Sequence, residues 1–336
     1  MKAATFSLPP LRRRTLLQIG VLGVAAGLTG CAQSGIKPTL RAPADILPAL
    51  WRRQLPAPWR FEPLSGSAPF QTPWPKPTDL LALTDGWLSS FTPDQLQTVA
   101  APALEAELGS LGRRFLREAP SDWRSKLLPV GFSPYVLLFR REGLALPAVD
   151  AGWMTLLDPA FKGKVLLPDS PRLLMSLADH LDDPEGLRRL RQAAISFDDR
   201  YGLNWLLQGD ARVAVLPLQR CMQALKRDPR LTAVLPEAGS PLHWTLLARP
   251  ALTAEPLPQA WVSQAWTSPL RARLLAQGWI PPLPREVLLE AGSRIPADLR
   301  SVVIPSQEVW SRSWSLYPLD ADEVLRLQTR WRASAP

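Results

Sequence analysis

The stretch Lys164–Leu181, KVLLPDSPRLLMSLADHL, sets the class of fold. An apolar run ends at Pro168-Asp169-Ser170-Pro171, and apolar residues then recur at helical spacing. A buried strand passing through a short turn into a helix is half of the crossover that parallel strands require. LNWLLQGDARVAVLP (203–217) reads as a helix, a Gly-Asp turn and a strand, and DLLALTDGWLSS (79–90) as an apolar strand running into Thr84-Asp85-Gly86. This alternation, with connections of a few residues, predicts α/β layers with mostly parallel sheets. The 37 prolines imply short elements and many turns.

Other segments fill in the order. Residues 45–55 carry helical spacing, 59–64 read as a strand, and 65–78 as a proline-rich loop. Thr92 with Pro93 has the form of a helix start, and Leu104 to Phe115 a helical pattern. KLLPVGFSPYVLLFRREG (126–143) predicts a strand, a break at Gly131 to Pro134, and a second strand. A short helix holds Trp153 and Leu156; residues 230–250 are two strands around a loop. Residues 257–279 are helical with an interruption near Pro269, and 320–331 form an amphipathic helix.

At the N-terminus three arginines, Arg12 to Arg14, precede an uncharged run of 13 residues, Leu16 to Leu28. A membrane-spanning helix needs ~20. A positive start, a short apolar run and small residues before a cut site make an export signal over residues 1–30. Leu28-Thr29-Gly30-Cys31 resembles the lipobox of bacterial lipoproteins, which implies that Cys31 is acylated and becomes the first mature residue. Arg13-Arg14-Thr15-Leu16-Leu17 resembles, more loosely, a twin-arginine signal. The expected location is the periplasm, with a lipid anchor to a membrane.

The formal charge is +9, of which Lys2 and the three arginines of the signal carry four, leaving +5. The arginines are scattered and no nucleic-acid motif accompanies them, so no nucleic-acid partner is expected. With Cys31 acylated, Cys221 has no partner, which excludes a disulfide framework and a cysteine-based metal site. There are two histidines, His180 and His243, and no G-x-S-x-G, H-E-x-x-H or glycine-rich phosphate loop. The chain reads as a non-enzyme without a cofactor or metal.

Four segments together resemble the periplasmic solute-binding proteins of ABC importers (type 2), closest to the spermidine/putrescine group. They are DLLALTDGWL; LPVGFSPYVLLFRREG with AGWMTLLDPAFKGKVLLPDSPRLL; LLQGDARVAVLP running to LPEAGSPLHWTLLARP; and AWTSPLRARLLAQGWIPPLPREV. The resemblance implies two α/β lobes, each a mostly parallel sheet flanked by helices, with a ligand cleft between them. It assigns residues 31–40 to a tether, 41–136 plus 245–292 to lobe 1, and 137–244 plus 293–336 to lobe 2. It also implies a small-molecule ligand, ABC permease subunits as partners, and a monomer.

The cleft residues come from the same resemblance and from the rule that ligands sit at the carboxyl ends of strands. Thr84, Asp85 and Trp87 follow one strand; Thr84-Asp85 could equally be a capping turn. Phe132, Ser133 and Tyr135 lie on the first crossing, as cleft residues or hinge packing. Asp169, Ser170 and Arg172 open a helix, where Asp169 is a ligand contact or the N-cap. Trp244 and Trp279 match cleft aromatics, though either could be core. The positions that match the family's ammonium-pairing carboxylates hold Ser170, Leu173 and Leu246. An ammonium unpaired in a closed cleft costs several kcal/mol, so a polyamine pose would have to differ from the family's. The alternative is a scaffold that has left transport for envelope signalling or protein interaction.

Overall fold

The computed structural model describes residues 37–64, 78–141, 149–198 and 200–335. The export signal, Cys31 and most of the tether lie outside the described residues. The strands are β1 (Thr39–Pro43), β2 (Arg60–Leu64), β3 (Leu80–Leu83), β4 (Leu96–Gln97), β5 (Leu128–Arg140), β6 (Val165–Leu167), β7 (Ala194–Phe197), β8 (Val213–Pro217), β9 (Leu231–Val234) and β10 (Leu242–Pro250). They run in the order β2-β1-β3-β10-β5-β8-β6-β7, with β4 on β10 and β9 on β5. β1 pairs in parallel with β2 and β3, and β6 with β7 and β8. β5 and β10 pair antiparallel with all their neighbours, so the sheet is mixed where the sequence predicts mostly parallel pairing.

β5 joins two halves of this sheet. From Leu128 to Pro134 it pairs with β10, and from Tyr135 onward with β8 and β9. The break expected at Gly131 to Pro134 is absent. Proline cannot donate to a ladder, but Pro134 stands where β5 exchanges one partner for the next. Gly131 is needed because the indole of Trp279 lies on its α-carbon: a Cβ there would come within 2.1 Å of the ring.

Prolines punctuate the helices. Pro93, Pro102, Pro159 and Pro171 occupy first-turn positions, where the missing N–H costs nothing. The helices that position the site are α1 (Ser110–Glu118), α2 (Pro171–Ala178), α3 (Leu218–Leu225), α4 (Gln259–Trp266), α5 (Leu270–Leu275), α6 (Gln307–Arg312) and α7 (Ala321–Ala333). The pattern of 45–55 condenses to one turn, Ala49–Arg52, and that of 104–115 is split into two helices at Leu108-Gly109. Gly109 donates to Pro282 O, and any Cβ there would strike the Leu283 carbonyl at 2.4 Å.

Side chains of the second sheet half alternate between two cores. Val136, Leu138, Ala214 and Leu216 face one; Leu137, Phe139, Val213 and Val215 face the other. The first of these cores is continuous with that of the first half. α3 follows β8 in the chain, yet its Leu218, Cys221 and Met222 join that core. Gly278, at φ +75°, admits the contact, since a Cβ would approach Met222 Cγ to 2.6 Å. Cys221 is free and fully buried, and burial pushes its thiol up to about 12. A maleimide reagent should leave the native chain unlabelled at Cys221 and label it on unfolding; rapid native labelling would contradict this packing.

After α6 the chain runs as an irregular strip, Ser313–Tyr317, and then enters α7, whose start is fixed by a capping box between Asp320 and Glu323. α7 packs on α2 without burying any of its own residues. Arg330 pairs with Asp179 at 2.6 Å, and the Arg191 guanidinium lies 4.0 Å over the Trp331 ring.

Candidate ligand cleft

The β5–β10 ribbon presents two faces. Trp244 pairs with Phe132, and their rings meet at 5.1 Å on one face. Ser133 and His243 pair beside them, and alternation turns their side chains to the other.

On the first face the strip Ser313–Tyr317 passes in front of Trp244. Trp244 Nε1 donates to Ser315 Oγ at 2.8 Å, and its ring rests on Phe115 of α1 at 4.8 Å. Trp314 N donates to Ser240 O and Trp314 O accepts from Leu242 N, so the strip is added alongside the start of β10. β3 ends in Thr84 and Asp85, 4% and 3% exposed, and Asp85 Oδ2 accepts from Leu316 N at 3.0 Å. Burial raises the Asp85 carboxyl to about 6, opposed by backbone donors of Leu316 and Trp244 and by the charge of Arg172. From the other half of the sheet, Arg172 in the first turn of α2 donates through Nη2 to Tyr317 O. Its own pKa is lowered by burial, against the pull of Asp85 and Glu323.

The strip's side chains are seated as well. The Trp314 ring stacks on His180 at 3.5 Å and 5°, while Trp314 Nε1 donates to Ser176 Oγ. The Tyr317 ring packs on Phe115 at 5.3 Å, and its hydroxyl donates to Glu118. Asp85, Arg172 and Trp244 thus hold one segment that their own sequence positions do not point to, with Thr84 beside Asp85 and Phe132 behind Trp244. Nothing in the spacing of Ser-Trp-Ser-Leu-Tyr-Pro marks it as part of a site. The hint it offers is two aromatics, Trp314 and Tyr317, between two helices.

The remaining candidates lie elsewhere. On the second face Ser133 Oγ accepts from Gln219 N at 2.9 Å, and Tyr135 OH meets His243 Nδ1 at 3.4 Å. His243 is pushed down to about 4, first by burial and then by Arg220, with Asp45 opposing. Arg220 bridges to Asp45 at 2.6 Å, tying the start of α3 to the loop after β1. Ser170, rather than Asp169, caps α2 by accepting from Leu173 N; Asp169 is exposed. Trp279 is enclosed by Gly131, Trp51 and Thr245, to whose Oγ1 it donates at 3.0 Å, a core setting. Trp87 lies in the six-residue 3-10 segment Asp85–Ser90, and its side chain is outside the described residues. Among the described residues no cluster of His, Cys, Asp or Glu could hold a metal ion, and no helix is long and apolar enough to cross a membrane.

No family model and no curated protein matches the chain. Solved structures do. The spermidine/putrescine ABC transporter substrate-binding protein PotD from Streptococcus pneumoniae is similar over 88% of this chain and 98% of its own, with TM-score 0.67 at 13% identity. This chain has the two-lobe fold of the periplasmic solute-binding proteins. The Tp0655 (TpPotD) lipoprotein of Treponema pallidum is similar over 89% and 99%, TM-score 0.67 at 11% identity. A structure described as a two-component system protein that mediates signal transduction is similar over 87% and 99%, TM-score 0.61 at 12% identity. β5 runs through both halves of the sheet, and Asp85 and Arg172 approach the strip from opposite halves.

Proposed function

We propose that the chain is an exported, lipid-anchored solute-binding protein that holds a small molecule between its lobes and hands it to an ABC permease. The observation that carries this reading is the convergence of a buried carboxylate, Asp85, and a guanidinium, Arg172, from opposite lobes on one place beside Trp244. Convergent polar groups in an aromatic setting suit a ligand site, and lobes of this fold close on ligands by hinge motion. Polyamine pairing in the family's manner is not supported. Ser170 caps a helix, and Leu173 and Leu246 are 1% and 0% exposed in the core.

Thermal shift and calorimetry across polyamines, amino acids, sugars and small anions test the reading. At least one class should raise the melting temperature and bind with a stoichiometry of about one, as ligand linkage requires. No response from any class, together with no permease co-purifying with the membrane-anchored chain, would reject it. Loss of membrane association and of incorporated fatty acid in Cys31→Ser would support the anchor.

A second reading has one specific observation in its favour. Trp244, Phe132, Thr84 and Asp85 are buried, and the chain's own strip already occupies Trp244 and Asp85. On that reading the scaffold serves envelope signalling or protein interaction without transport, and the solute screen stays silent while the folded chain captures a protein partner.

A further inference from the structure

We propose that the cleft is a peptide-backbone site: Asp85 and Arg172 receive an extended main chain, and the resting protein fills that site with its own Leu316–Tyr317. The inference rests on the reading of this cleft as the ligand site, and it names the ligand class.

The strip is held as a bound peptide would be. Its main chain supplies the contacts: Trp314 N and O pair with Ser240 and Leu242, Leu316 N donates to Asp85, and Tyr317 O accepts from Arg172. Its side chains fall into separate seats, Trp314 against His180 and Ser176 of one lobe, Ser315 and Tyr317 against Trp244 and Phe115 of the other. Main-chain pairing for affinity with side-chain pockets for selection is the pattern by which sheets accept an added strand. The two charged groups also fix chain direction, because the carboxylate takes an N–H and the guanidinium a C=O. A ligand lacking either group would cost Asp85 or Arg172 one hydrogen bond.

The helix at the end of the strip is built to let go. α7 buries no residue fully and exposes 60% of Leu325; only Leu327 and Trp331 pack, half-buried, on the second core, beside the Arg330–Asp179 ion pair. Elements with few buried contacts open at a small fraction of the global unfolding free energy.

The test uses full-length protein and an acetylated, fluorescein-labelled peptide of residues 313–320, Ser-Trp-Ser-Leu-Tyr-Pro-Leu-Asp. Leu316→Pro removes the N–H that Asp85 accepts and loosens the internal strip. It should bind the peptide at least about tenfold more tightly than the wild type, the worth of one hydrogen bond to a charged group. Adding Arg172→Ala should return affinity to the wild-type level. A folded Leu316→Pro that binds no better, or an Arg172→Ala double variant that binds as well, overturns the proposal. If Leu316→Pro does not fold, hydrogen exchange of the wild type decides. The Leu316 amide should exchange at least about a hundredfold faster than that of Leu137 in β5, and equal rates overturn it. A solute that stabilises the wild type while the peptide fails would leave the solute-binding reading standing and remove this one alone.

Discussion

Gly131→Ala lowers the stability of the chain by about 3 kcal/mol, the upper range for forcing an extra methyl into a packed core. The added Cβ would lie 2.1 Å from Cζ2 and 2.2 Å from Cε2 of Trp279, a fully buried indole. That ring cannot retreat, because its Nε1 is bonded to Thr245 Oγ1 and its other side meets Trp51 at a centroid distance of 5.1 Å. Gly86→Ala is the control: the nearest atom to a Cβ there is Thr84 Oγ1 at 3.8 Å, and stability should stay within about 0.5 kcal/mol. Urea denaturation of both variants reads the difference. If Gly131→Ala unfolds at the wild-type midpoint, Trp279 does not sit where the packing places it.

Asp85→Asn removes a pH dependence of about 3 kcal/mol, since the buried carboxyl is raised from the usual range to about 6. The folded chain holds the Asp85 proton more tightly than the unfolded chain does. The protonated group's contribution is therefore complete below about pH 4, the ordinary carboxyl value. It is lost as pH rises through about 6, where the folded chain must bury a charge. Asparagine keeps an oxygen that can accept the Leu316 N–H and never ionises. Wild type and variant should unfold alike at pH 4, and the variant should be the more stable by up to about 3 kcal/mol at pH 8. Parallel stability curves across that range would place Asp85 in solvent or in a fully compensated ion pair.

Much of the architecture is legible in short-range pattern. The run Val165–Leu167, the turn and α2 fall where KVLLPDSPRLLM places them, as do β8 after its Gly-Asp turn and the interruption at Pro269. What fails is what depends on a residue far along the chain. β5 is unbroken because Trp279 covers Gly131, and the 104–115 helix is broken because Gly109 must approach Leu283. Local sequence contains neither fact. In the cleft, residue type and position at strand ends bring Thr84, Asp85, Phe132, Arg172 and Trp244 to one neighbourhood. The choice between Asp169 and Ser170 as cap turns on one residue of register that spacing alone does not resolve. Ser133 and Tyr135 share a strand with Phe132, and period-two alternation sends Ser133 to the opposite face. The strip that covers the site is hidden from local pattern because its partners lie as far as 231 residues away.

α3 packs on β5, β8 and β9 of its own half of the sheet and reaches the other half as well, with Met222 lodged over Gly278 and Arg220 paired with Asp45. A helix that is shared property makes the halves inseparable. Cutting the gene between them would strip α3 of part of its cover, and neither fragment would be a usable module. Melting should accordingly be one event seen alike by every probe.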